Sequence, residues 1–342
     1  MPLKPKEPME ELTGIFVAFL GIIFFITAPL WAARKRREEI LADDSKAVLE
    51  KCEKIAAEFY ALEETEDFKE ITQEILSSKL TNKSIKKIIR STGRRFFLFK
   101  YPSDHQLVKG TISFVPEPSK NPLLLLLRGG TEIFGLMHPA SDLACIRNYT
   151  TLATAYRGGV SEGKDEFGGS DVNDVTNLVQ YLTTLQKKLD ITLELDKIFI
   201  IGASRGGMEM FLSLGRSQYL QQKIKKAVSL SGLLDMQACL ADRQDMKQMF
   251  MEDFGLLPGI NEEEWINLRN PIGAVSSLRK DLPFLILQGT KDIRVSLKEG
   301  YNMVKKLKEN GNPVTYLEIT NGDHCLRNQK DYLQIMADWL ES

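Results

Sequence analysis

The chain has 342 residues, 43% of them hydrophobic and 27% charged, with a formal net charge of −1 at pH 7. That length suits one large α/β domain with an appendage or two small domains, and the near-zero charge gives no bulk electrostatic case for a nucleic-acid partner. Cys52, Cys145, Cys239 and Cys325 show neither CxxC nor Cys/His ligand spacing, so they read as reduced thiols, with no metal and no cofactor expected.

Residues 1–11 form a tail that mixes Lys4 and Lys6 with Glu7, Glu10 and Glu11. Leu12 to Ala33 carries no charged residue, and as a helix it spans roughly the 30 Å core of a bilayer. Trp31 suits the interface, and Arg34, Lys35, Arg36 and Arg37 follow at once. A cleavable signal would place a small residue where Leu30 or Trp31 stands. The run therefore predicts a single-pass membrane anchor with the body of the protein on the cytoplasmic side.

Residues 34–94 hold the basic run and then a charged segment of helical period. Ile40, Leu41, Val48, Leu49, Ile55, Phe59 and Leu62 recur at three- and four-residue intervals, and Phe68, Ile71, Ile75 and Leu76 continue the pattern. A spacer, a cap over an active site and a dimer surface are all compatible with it, and the oligomeric state stays open.

From Arg95 the period changes. Phe96–Tyr101 and Leu107–Val115 read as a hairpin around Pro102–His105, and Leu123–Leu127 as a strand buried on both faces. Thr151–Tyr156 is a further strand, Asp174–Leu189 a helix, and Lys226–Leu230, Leu282–Leu287 and Val314–Ile319 three more strands. Alternating strands and helices predict an α/β fold with a mainly parallel sheet covered on both faces, over residues 95–342. Leu233–Lys280 holds no strand candidate and is rich in Met and Phe, so 236–280 reads as a lid, a substrate wall or plain core.

Lys197–Phe211 reads KIFIIGASRGGMEMF, a β-branched run that stops at Gly202, then G-x-S-x-G, then a helical stretch. That is the setting of the nucleophile elbow of the α/β-hydrolase fold, in which a side chain at Gly202 or Gly206 would strike neighbouring backbone. A serine hydroxyl needs a base, and that base needs an acid to hold it. Of His105, His138 and His324, only His324 lies downstream of Ser204, in a turn after Val314–Ile319. Asp292, in the loop after Leu282–Leu287, is the expected acid, with Asp323 the alternative. Oxyanion donors are expected from the Arg205 backbone N–H and from the 128–131 loop, through Gly130 or the Arg128 side chain. The stretch from Gly158 to Lys164 mimics the start of a phosphate-binding loop, but Asp165 stands where Ser or Thr should hold magnesium.

Four segments together resemble the catalytic domain of the prolyl oligopeptidase family of serine peptidases. They are RGG at 128–130, YRGGVSEGKDEFGGSDVNDV at 156–175, IIGASRGG at 200–207, and LILQGTKDIRV at 285–295 with GDH at 322–324. The resemblance implies an α/β-hydrolase fold with Ser204 as nucleophile, Asp292 as acid and His324 as base. It also implies that Arg294 binds a substrate carbonyl. Two departures stand out: Arg128 replaces the family's tyrosine or histidine before Gly-Gly, and Arg205 replaces the usual tyrosine or asparagine after the serine. The residues before 95 are too few for the family's β-propeller. The expected activity is hydrolysis of peptide, amide or ester bonds in a small substrate through an acyl-enzyme. The alternatives are a carboxylesterase, lipase or thioesterase, and a non-catalytic binding protein.

Overall fold

Leu123–Leu127, apolar at every position, is satisfied only with both faces covered, and the computed structural model places it in the middle of the sheet. The structure describes residues 35–37, 39–116, 121–146 and 149–342. The apolar run 12–33 lies outside the described residues, and among those described no helix is long and apolar enough to cross a membrane. Contacts divide the chain into Met1–Ala47 and Val48–Ser342. In the first unit the described residues 35–37 and 39–47 are helical.

In chain order, helix α1 (39–59), strand β1 (Phe68–Glu70), α2 (Thr72–Ser77) and α3 (Lys83–Thr92) precede the hairpin β2 (Arg95–Ser103) and β3 (Gln106–Phe114). Then come β4 (Pro122–Leu127), β5 (Thr150–Thr154), α4 (Val172–Leu189), β6 (Glu194–Ala203), α5 (Arg205–Arg216), α6 (Gln218–Lys223) and β7 (Ile224–Leu230). Four helices follow: α7 (Met236–Asp242), α8 (Gln244–Asp253), α9 (Glu262–Arg269) and α10 (Pro271–Ala274). The chain closes with β8 (Phe284–Gly289), α11 (Leu297–Asn310), β9 (Val314–Ile319) and α12 (Tyr332–Glu341).

The described strands form one sheet in the order β1-β2-β3-β5-β4-β6-β7-β8-β9. Pairs from β1 to β5 are antiparallel, and those from β5 through β4 to β9 are parallel. Side chains alternate between faces along a strand, so the β4 leucines divide between two cores. Leu123, Leu125 and Leu127 pack with Leu178, Leu182 and Leu185 of α4 and Phe211 of α5. Leu124 and Leu126 face the other way, with Met336, Ala337 and Leu340 of α12.

Two departures from the sequence reading lie before residue 95. The compact unit that holds the sheet begins at Val48, because Cys52, Ile55 and Phe59 of α1 share a core with Phe96 and Leu98 of β2. Where the helical pattern was read to resume at Phe68, Phe68–Glu70 is instead a strand on β2. Three residues are too few to show a period of two. Cross-strand contacts hold them there, with Phe68 stacked on Phe97 at 5.0 Å and Glu70 paired with Arg95 at 2.6 Å. In the Met-rich stretch, Met236, Phe250 and Trp265 are core with Phe167 and Leu212, while Met246 and Met249 are only partly buried.

Candidate active site

The β6 strand ends at Gly202 and the chain turns sharply at Ser204, whose φ of 55° is a strained, left-handed value for a residue other than glycine. A Cβ on Gly202 would strike the Gly206 carbonyl, and one on Gly206 would strike the Leu127 carbonyl, so both clashes expected from the sequence are present. The turn is tied down on both sides. Ser204 N–H donates to Leu230 O at 3.0 Å, and Ser204 O accepts from Gly207 and Leu233 N–H, each at 2.9 Å. Ser204 therefore sits at the N-terminus of α5, where the first N–H groups, beginning with that of Arg205, precede the regular helical bonding and favour negative charge.

His324 lies in a short helical turn after β9, with Cys325 at φ 59° beside it. Its Nδ1 is 2.9 Å from Asp292 Oδ2 and 3.1 Å from Oδ1. Asp292 follows β8, and its Oδ1 also accepts the backbone N–H groups of Arg294 (2.8 Å) and Val295 (3.0 Å). Burial opposes its charge, but the His324 ring and these N–H groups outweigh it and hold the carboxyl below its usual range. For His324, burial again opposes charge, while the Cys325 sulfur and the Asp292 carboxylate raise the ring above its ordinary value. Asp323 instead accepts from Asn328 N–H at 3.2 Å, which leaves Asp292 as the histidine's carboxylate.

Ser204 and His324 border one cavity of about 400 Å³. Phe134, Phe167, Leu233, Met246 and Met249 give it an apolar wall, and Val48 reaches it from α1. Arg294 lines it too, with its Cζ 5.7 Å from the Phe134 ring. No carboxylate is among the described lining residues.

The 128–132 loop lies against the serine: a Cβ on Gly129 would fall 2.8 Å from Ser204 Cβ and 3.2 Å from its Oγ. The Arg128 guanidinium is spent on backbone carbonyls of Gly129 (3.0 Å), Glu132 (2.6 Å), Phe134 (3.1 Å) and Ala155 (2.8 and 3.0 Å). Its five N–H groups are committed to these backbone carbonyls, which corrects the option of Arg128 as a side-chain oxyanion donor. Holding Gly129 O instead fixes the Gly130 N–H, because C=O and N–H point oppositely across a trans peptide.

Arg205 is the feature that sequence reasoning passed over as a mere departure. It is 1% exposed and pairs with Asp165 (2.7 Å), with Asp171, and with Glu209 one helical turn on (2.9 Å). Its Cζ lies 4.4 Å from the Phe167 ring and 5.2 Å from the Tyr156 ring. Its Nη1 also donates to Gly130 O at 2.8 Å, tying the serine helix to the glycine loop. Asp165 closes the link by accepting from Thr131 Oγ1 (3.0 Å) and Glu132 N–H (2.9 Å). Burial disfavours the Asp165 carboxylate, yet Arg205 and these donors bring it down to about 2. Glu209 goes the other way, pushed well up by burial and by Asp171. The carboxylates at 165 and 171, set in a glycine-broken run too polar for a core, were the available signal for this network.

A profile of the prolyl oligopeptidase family matches residues 143–342. YtmA of Bacillus subtilis, described as an uncharacterized peptidase, is 29% identical over 252 residues, which cover 72% of this chain and 94% of YtmA. The acylamino-acid-releasing enzyme of Arabidopsis thaliana is 26% identical over 228 residues, covering 62% of this chain and 28% of that enzyme. This chain therefore spans less than a third of the larger relative. Among solved structures, acylaminoacyl peptidase from Pyrococcus horikoshii superposes with a TM-score of 0.58 at 18% identity, over 71% of this chain and 40% of that one. A fungal esterase from Rhizomucor miehei gives 0.54 at 17% identity, over 75% and 90% of the two chains. Both likenesses show a common α/β-hydrolase-like fold.

Proposed function

The chain belongs to the prolyl oligopeptidase family and is a serine hydrolase of peptidase type, and from that premise we propose that Ser204, His324 and Asp292 carry its reaction. The observation that supports this is the 2.9 Å His324–Asp292 pair opening onto the same cavity as the strained Ser204. In this reading Ser204 Oγ attacks the substrate carbonyl while His324 Nε2 takes its proton, with Asp292 fixing the ring through Nδ1. In the same reading the oxyanion is met by the backbone N–H groups of Arg205 and Gly130. His324 then protonates the leaving amine, and water taken through the same base releases the acyl group from Ser204.

The apolar wall favours an acyl group with a bulky hydrophobic side chain, and in this reading Arg294, which lines the same cavity, holds a substrate carbonyl. Esters of the same acyl group are a second substrate class, because the attack on Ser204's partner carbonyl is the same for both. The run Leu12–Ala33 followed by four basic residues supports an anchored enzyme with this domain on the cytoplasmic side.

A fluorescent fluorophosphonate tests the assignment. Label on the wild type that is lost in Ser204→Ala and strongly reduced in His324→Ala supports the triad. A folded wild type that takes no label refutes it.

A further inference from the structure

We propose that a second cavity, about 330 Å³ and alongside α1, is the leaving-group half of the substrate site and takes a short peptide that ends in a free carboxylate. The proposal rests on the serine-peptidase reading above. The two cavities meet, since Val48, Gly135 and Arg327 line both. Arg327 marks the direction of the junction: its Nε donates to His324 O at 3.2 Å, so the second cavity opens on the histidine's side of the site. The leaving group departs on that side, because its nitrogen collects its proton from the histidine. In that step the Ser204 Oγ–C bond forms, the C–N bond breaks, and the serine's proton passes through His324 to the amine. The acyl part is then left to the apolar wall of the first cavity, Leu233, Met246 and Met249.

The two halves differ in chemistry as the two halves of such a substrate differ. One wall of the second cavity is a stripe of α1, Val48, Lys51, Cys52 and Ile55, at the i, i+3, i+4, i+7 spacing of one helix face. The Cys52 thiol lies 3.8 Å from Leu136 O and secures that face to the loop after the glycines. Around it stand the cations Lys51 and Arg327, with Asn82 and Ser141, against the single carboxylate Asp142. Arg327 also faces Asp323 at 3.8 Å. His138 adds no charge. Burial and the neighbouring Lys51 bring it down to about 4, and its ring meets Ala140 N–H at 3.0 Å and Thr81 Oγ1 at 3.2 Å. Since Asp323 offsets Arg327, the preference for a carboxylate terminus over a neutral one rests on Lys51. The volume falls in the range of small-ligand pockets, about 300–1,000 Å³.

The test uses the full chain and three substrates sharing one apolar acyl group: a nitrophenyl ester, a dipeptide with a free carboxylate, and the same dipeptide amide. Wild type should prefer the acid to the amide. Lys51→Glu, at an exposed position, should abolish that preference and lower the acid-to-ester ratio of kcat/KM by roughly five- to tenfold, mainly through KM. Asn82→Trp, which narrows the groove from its rim, should lower both dipeptides relative to the ester. Ratios within twofold of wild type in both variants, with fluorophosphonate labelling intact, overturn the subsite while leaving the hydrolase reading standing. An effect of Asn82→Trp without an acid preference in wild type overturns the carboxylate assignment. Failure of the chain to label or to turn over any of the three overturns the hydrolase reading and the subsite with it.

Discussion

Replacing Arg205 with methionine removes one cation from a site with three carboxyl groups, together with its bond to Gly130 O, while the backbone N–H beside Ser204 is kept. Asp165 and Glu209 are 0% exposed, so no water reaches the groups left behind. Breaking a buried ion pair from one side typically costs about 3–5 kcal/mol. The Asp165 carboxyl gives an independent figure. Its drop from about 3.9 unfolded to about 2 folded corresponds to about 2.5 kcal/mol, present above the unfolded value and lost as pH falls through the folded one. A penalty of this size lowers Tm by roughly 4–8 °C in a domain of this length. The sign of its pH dependence is diagnostic. Without Arg205 the buried Asp165 takes up a proton more readily folded than unfolded, so the variant's deficit should shrink between pH 8 and pH 5. Thermal unfolding of wild type and Arg205→Met at both pH values measures this, with the Asp165→Asn double variant expected to recover part of the loss. A Tm change under about 2 °C, or an equal deficit at both pH values, refutes the argument that Arg205 holds the cluster together.

Further outcomes can be checked in the same way. Asp292→Asn should lower kcat by roughly a thousand- to ten-thousand-fold, and should shift the rising limb of the kcat/KM–pH profile to lower pH, because the carboxylate is part of what raises His324. A limb that moves upward contradicts that pairing. Gly206→Ala should give little folded protein in a solubility and circular-dichroism comparison, since the methyl has only the Leu127 backbone to displace. Glu299, buried and raised to about 8, accepts the N–H groups of Leu234 (3.1 Å) and Ser296 (3.3 Å). A carboxyl raised on folding stabilises fully below its unfolded pKa and loses that contribution as pH rises through about 8. Glu299→Gln should therefore flatten the fall of Tm between pH 6 and pH 9, and an unchanged slope counts against it.

What the sequence disclosed divides along physical lines. The strand Leu123–Leu127 was legible because burial on both faces leaves an uninterrupted apolar run, and the edge strand Val314–Ile319 because its β-branched and aromatic residues match β9 at both ends. Ser204, Asp292 and His324 were legible because the chemistry ties each to the end of a strand, and the structure brings the histidine and the aspartate into contact. Three things were not. Phe68–Glu70 is held by its neighbour β2 and not by its own pattern. The joining of α1 to the sheet depends on contacts such as Phe59 with Phe96, which are remote in sequence. The partners of Arg205 lie 34 and 40 residues upstream as well as on its own helix, and a charged residue in a glycine-rich run ordinarily signals solvent.

The joining of α1 to the sheet also sets where the polypeptide tolerates a cut. A fragment begun at residue 95, where the strand pattern starts, would leave Phe96 and Leu98 bare on one face, along with the edge of β2 that Phe68–Glu70 covers. Sticky surface and an unpaired strand edge are together the recipe for aggregation. A fragment begun shortly before Val48 keeps the cover and also keeps Val48 at the mouth of the cavity. A protease that trims the chain between residues 60 and 68 would therefore take Val48 from the cavity wall while leaving every candidate catalytic residue in the chain.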